Sequence, residues 1–271
     1  MLEDNVKMLE GIKESKFDFS SVNKDELLIL LLENIGHKDS YVRDDLVYPV
    51  FAHLLHDDIL TYDKLNSICE ILLSEKYLFL DMANNDKYSV LVRTFTLLQL
   101  FILLYKYNQK GLEYQDYIKK IYDAFIRYYQ DEIDYRGYEE EVGFIHSVAH
   151  SADLMSQLME SEVIKENELE TMFNLIYSIF TTKEYQFIHD EDERTVNAIE
   201  VGIKRKILDK QFLIDYINKF KKFDNKRDYP EYYNITRNIK CLLRSLYFRF
   251  NDDLEFEYLT NVIKATLKEI K

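Results

Sequence analysis

The stretch Val90-Leu-Val-Arg-Thr-Phe-Thr-Leu-Leu-Gln-Leu-Phe-Ile-Leu-Leu-Tyr105 decides the fold. It is apolar on nearly every side of a helical wheel, the pattern of a helix at the centre of a core. Arg93, Thr94, Thr96 and Gln99 interrupt it, and it falls short of the ~20 apolar residues a bilayer crossing needs. The expectation is a buried helix over Lys87–Tyr107 and no membrane span. A polar break at Asn84-Asn85 precedes it and Asn108–Gly111 ends it.

Amphipathic helices with end signals flank this segment. Asn23 followed by Glu26 predicts a helix start, since the Asn side chain accepts the free N–H groups of the first turn. Leu27–Leu32 continue it, and Gly36 sits where a left-handed C-terminal residue belongs. A helix from Asp39 or Ser40 runs through Val42, Leu46, Val50 and Leu55, with Pro49 expected to kink or break it. Thr61 caps the next. Beyond the central segment, helices are predicted over Tyr114–Ile133, Glu140–Met159, Asn167–Phe180, Arg194–Leu208, Gln211–Lys221, Tyr232–Phe250 and Leu254–Ile270. Asn167 and Glu170 repeat the capping pattern. No strand pair is expected. Helix pairs start roughly 40–55 residues apart, near the 40–47 of HEAT and armadillo arrays. The predicted fold is all-α, with antiparallel helix pairs packed as a HEAT-like α-solenoid; an irregular α-helical bundle is the alternative. No Gly-, Ser- or Pro-rich linker divides the chain, so residues 1–271 are expected to form a single all-helical domain.

Composition agrees. The 271 residues include only 6 Gly and 2 Pro, against an average of about 12% for the two together. All-β and doubly wound folds need more turns than that. Lys and Arg number 35 and Asp and Glu 49, a net charge of −14. Such a surface repels phosphates, so no nucleic acid and no membrane partner is expected. The basic stretches Lys219–Arg227 and Lys204-Arg205-Lys206 read as solvated helix faces. Cys69 and Cys241 cannot build a disulfide framework, and Cys69 reads as core packing. The N-terminus lacks the pattern of a signal peptide, and a cytoplasmic location is expected. No phosphate-binding Gly-rich loop and no Gly-x-Ser-x-Gly elbow occurs.

One constellation could carry chemistry: Asp134-Tyr-Arg-Gly-Tyr-Glu-Glu-Glu-Val-Gly-Phe-Ile-His146-Ser-Val-Ala-His150-Ser-Ala-Asp153. On a helix, His150 lies about 40° from His146 and Asp153 about 20° the other way, with Gln157 between. Three readings stand open. The stripe is a solvated face or a satisfied hydrogen-bond network. It is a divalent transition-metal site built on His146, His150 and Asp153, with a further ligand from His189, Glu191 or Glu193. Or it is a ligand-binding or acid–base site. Arg136 and Arg93 support it. Arg93 interrupts the most buried helix and requires a carboxylate partner, expected among Asp44, Asp45, Asp134 and Asp153. The acidic run Asp190-Glu-Asp-Glu193 suits a helix N-terminus.

These residues resemble a bacterial family known as domain of unknown function 2785. Its pattern runs Arg-Gly-Tyr, then Gly-Trp-Ala-His-x-x-Ala-His-x-Ala-Asp-x-Leu. Arg136-Gly137-Tyr138, Gly143, His146, Ala149, His150, Ala152 and Asp153 match it. Phe144, Ile145 and Met155 replace Trp, Ala and Leu, keeping an apolar residue each time. Arg43-Asp44, Arg93-Thr94-Phe95 and Glu191-Asp192-Glu193-Arg194 are similar to further family blocks. The resemblance implies a helical bacterial protein with a recurrent site and no assigned reaction. The expected function is an interaction or small-ligand-binding module, with a protein or small molecule as partner and a His/His/Asp-lined cleft. A metal-assisted or His/Asp acid–base hydrolase and an acidic nucleic-acid-mimicking inhibitor are the alternatives.

Overall fold

The structure, a computed structural model, describes residues 1–82, 86–223 and 229–270. Twelve α-helices occur among them: α1 (Glu3–Glu14), α2 (Lys24–Glu33), α3 (Tyr48–His56), α4 (Tyr62–Leu72), α5 (Ser89–Asn108), α6 (Gln115–Asp131), α7 (Ser147–Glu160), α8 (Glu166–Phe180), α9 (Glu191–Lys204), α10 (Lys210–Lys219), α11 (Glu231–Phe250) and α12 (Glu257–Glu269). Among the described residues the protein is all-α apart from one short hairpin. The polar break at 84–85 and residues 224–227 of the basic stretch lie outside the described residues.

The start of α2 follows its sequence. The Asn23 side chain accepts from the N–H groups of Asp25 and Glu26, at 3.1 and 3.4 Å. Gly36 does something else than expected. It does not take the left-handed conformation; a Cβ there would lie 2.5 Å from the Val92 nitrogen. Glycine is needed because α5 passes against the chain at that point. Pro49 breaks the long amphipathic pattern in two. A π-helical stretch, Tyr41–Val47, precedes it, and Pro49 sits in the first turn of α3, where its missing N–H is not required. Helix α8 starts at Glu166, not Asn167. Its closing bond runs from the Lys165 N–H to the Glu168 carboxylate, 2.8 Å.

The chain divides into two compact units, Met1–Leu154 and Met155–Lys271. In the first, α5 is the central element. It packs against α3, α4 and α6. Leu97, Leu100, Leu103 and Leu104 are fully buried, as are Val50, Phe51 and Leu54 of α3 and Ile121 and Phe125 of α6. Helix α5 is long and apolar enough to cross a membrane by length and composition, but 78% of its apolar window is buried. Cys69 packs in this core, and burial pushes its thiol up to about 12.

In the second unit α9 packs on α11, and α12 on both α10 and α11. Gly202 lets the Met159 sulfur and the Phe173 ring approach; a Cβ would sit 3.0 Å from each. The basic run at the end of α9 is spent locally. Lys204 pairs with Glu200, Lys206 with Glu255, and Arg205 donates to the Met159 and Ile164 carbonyls.

The largest departure from the sequence reading falls on residues 138–146. A helix was expected from Glu140, with no strand nearby. Instead β1 (Tyr138–Glu139) pairs antiparallel with β2 (Gly143–Phe144), and α7 begins only at Ser147. Gly143 adopts φ +76° and turns the chain back, a geometry that favours glycine.

Candidate functional site

Arg43 organises the first unit's hairpin. It lies on the π-helical stretch with no exposed surface. Its guanidinium donates to the Val142 carbonyl at 2.8 Å and the Phe144 carbonyl at 3.1 Å, and on the near side to the His37 carbonyl at 2.9 Å. Nε lies 2.8 Å from the Asp44 carboxylate, and the guanidinium stacks 4.8 Å from the centre of the Phe95 ring. Burial pulls the Arg43 pKa down and pushes that of Asp44 up. A Cβ on Gly143 would stand 3.0 Å from the Ser40 Cβ, so the turn is seated closely on this arginine's own segment.

Arg136 braces the same hairpin from its other strand. It binds Asp134 twice through Nε, at 2.9 and 3.1 Å, and again through Nη2 at 2.5 Å. It also pairs with Glu139 on β1 and donates to the Lys87 carbonyl at 2.7 Å. The Asp134 hydrogen bonds hold the Arg136 pKa above its ordinary value. Lys87 in turn pairs with Glu139 at 2.6 Å and Glu141 at 3.1 Å. The amides of Ile145 and His146 both donate to the Gly137 carbonyl, at 2.9 and 3.1 Å.

His146 is not on the helix. It caps it: its carbonyl accepts from the His150 amide at 2.8 Å, and its backbone is left-handed, φ +53°. For a residue with a Cβ this conformation is uncommon and carries strain. The half-buried imidazole stacks face to face on Phe144, ring centres 4.4 Å apart and planes 5° apart. His150, 5% exposed, follows at 5.4 Å and meets the edge of Phe95 at 5.3 Å. Tyr138 lies against Phe144 at 5.2 Å. A row of rings thus runs from Tyr138 and Phe144, each 45% exposed, through His146 and His150 to Phe95 in the core.

Of the five residues read from the sequence, the structure brings His146 and His150 into ring contact and gathers Arg93 and Arg136 around one cleft. The histidines join the aromatic row rather than a polar stripe. Asp153, on α7, is half-buried. Among the described residues no group of three His, Cys, Asp or Glu side chains is placed to hold a metal ion, so the ligand set His146, His150 and Asp153 does not assemble. The helical spacing behind that expectation does not apply to His146, which precedes α7 and stacks on Phe144, although its ring stays 5.4 Å from that of His150.

Arg93 does find a carboxylate, but a different one. Glu132, just past α6, receives Nε at 2.7 Å and Nη2 at 2.9 Å. Nη1 donates to the Leu80 carbonyl and the Ser89 hydroxyl, at 2.7 and 2.8 Å. Burial opposes the charge, yet the Glu132 bonds hold the Arg93 pKa above its ordinary value. Glu132 also accepts from the amides of Ile133 and Asp134, and so sets the path into the hairpin. A cleft of about 340 Å³ opens beside it, lined by Asp86, Lys87, Arg93, Asp134 and Arg136 among others. Sequence reasoning gave no role to Arg43, Glu132, Tyr138 or Phe144. Two signals were present: Arg43, Tyr138 and Phe144 stand in the stretches that resemble the family, and Arg43, like Arg93, interrupts an apolar helical face between Val42 and Leu46.

Residues 78–248 match the family described as protein of unknown function, DUF2785. The chain belongs to this family. Arg93, Glu132, the hairpin, His146, His150 and Asp153 all lie inside the DUF2785 match, whereas Arg43 lies before it. No curated protein and no solved structure matches the chain.

Proposed function

We propose that this DUF2785 chain is an interaction module whose recognition element is the hairpin 138–144. One observation carries the reading. A hairpin of two-residue strands, too short to hold itself together, is braced from both sides by Arg43 and Arg136 and presents two half-exposed aromatic rings. Aromatic side chains on a fixed backbone bury much area and lose little conformational freedom on binding, which is why they dominate interface energetics. His146 and His150 back the rings and transmit their position to Phe95. Within this reading the helices stack as HEAT-like pairs in a single domain, residues 1–271. The packing of α3 on α5 in the first unit, and of α9 on α11 and α10 on α12 in the second, supports the stacking of the helices. The cleft at Arg93 and Arg136 adjoins the hairpin through Arg136 and would take a small polar group of the same partner.

A photo-crosslinking residue placed at Phe144 tests the role in cells. Position 248 serves as control, since Phe248 is 75% exposed and lies in the second unit. The proposal expects a discrete adduct from position 144 that His146→Ala diminishes. No adduct from 144, or the same adducts from both positions, would end it.

A further inference from the structure

We infer that the hairpin receives a cationic partner, an arginine- or lysine-bearing protein segment whose charged head lies over the Tyr138 and Phe144 rings. The inference rests on the recognition role proposed above. Between the two exposed rings the chain carries Glu139 on β1 and Glu140 and Glu141 in the turn, and Asp134 precedes the hairpin. Among the described residues the cations paired with these carboxylates are Lys87 and Arg136, and Lys38 also acts on Glu141. Arg136 is shared between Asp134 and Glu139, and Lys87 between Glu139 and Glu141. The carboxylates therefore outnumber the cations that hold them. Glu140 is exposed, and among the described residues no cation pairs with it. Ring faces carry negative quadrupole density, so they favour the same partner as the carboxylates do. The molecule's net charge of −14 draws such a partner in from a distance. An anionic ligand would meet the opposite at each of these points.

The experiment uses fluorescein-labelled nona-arginine and the whole chain, with anisotropy read at physiological salt. Glu140→Lys and Phe144→Ala are each expected to weaken binding about threefold or more, as loss of an exposed ion contact or cation–π contact does. Glu113→Lys makes the same charge change before α6, about 25 Å of helix away from the hairpin, and is expected to leave binding within a factor of about two. Tyr138→Ala replaces Phe144→Ala if the latter fails to give a native circular dichroism spectrum. Equal weakening by Glu140→Lys and Glu113→Lys would assign binding to diffuse charge and overturn the inference, as would no binding at all. The crosslink at position 144 separates the two ideas: an adduct there with a negative peptide result removes the cationic partner and leaves the hairpin its role.

Discussion

Two arginines lie in the interior of the first unit, and each is held by acceptors distant in sequence. Arg93 was legible as a buried cation needing a carboxylate because it interrupts an apolar helix. Its partner was not, because Glu132 meets it only where α6 ends beside the start of α5. Arg43 is satisfied chiefly by carbonyls, which every residue carries, so no side-chain pattern could point to Val142 and Phe144. A buried carboxylate in the second unit gives a test at this scale. Glu191, 1% exposed, opens α9 and accepts the His189 amide at 2.6 Å. Burial raises its pKa, with Asp192 adding to the rise and His189 opposing it. A carboxyl whose folded pKa lies above its unfolded value contributes stability at low pH, and that contribution is lost as pH rises through the folded pKa. Glu191→Gln, which keeps the acceptor and removes the charge, is expected to stabilise the protein at pH 8. The gain should fade toward pH 4, below the ordinary glutamate value. Denaturant melts at the two pH values check it; a loss of stability at pH 8 would mean that the ionised form is the better-held one.

At the scale of elements, helices were readable and the hairpin was not. The 3.6-residue pattern found α5, α6 and α11 within a few residues, and Asn23 and Thr61 both cap as their chemistry predicts. The segment 138–146 misled because its strands are only two residues long, so no period-2 pattern develops. The three glutamates also suit a helix N-terminus, which favours a helix start too early. Tertiary contacts decide the matter: Arg43 offers hydrogen bonds to carbonyls that a helix would have used itself. The left-handed Gly143 is the local condition for this. Gly143→Ala meets both an unfavourable φ and the Ser40 Cβ at 3.0 Å. It is expected to lower stability by about 1–2 kcal/mol, measured by thermal melting, and to reduce the crosslink from position 144. An unchanged melt would mean that the turn relaxes without the arginine contact.

For the whole molecule, the near absence of Gly and Pro fixed the class as all-α before any segment was assigned, and membership in DUF2785 agrees with the His-x-x-x-His-x-x-Asp block seen in the sequence. Which helices pack together within each unit could not be read the same way, since helical periodicity describes faces and not which helix meets which. A single domain over residues 1–271 predicts one cooperative transition in scanning calorimetry; two resolved transitions would divide the chain near Leu154 and Met155. On the function proposed above, the Arg43 bonds to Val142 and Phe144 hold the hairpin rigid and its rings ready for a partner. Amide hydrogen exchange mapped along the whole chain tests it most directly. The Ile145 and His146 amides, both bonded to the Gly137 carbonyl, are expected to be protected in the native protein. Arg43→Met should speed their exchange at least about tenfold while the amides of α10 and α12 keep their rates. Rapid exchange of these two amides in the unaltered protein, or no change on removing the arginine, would contradict it.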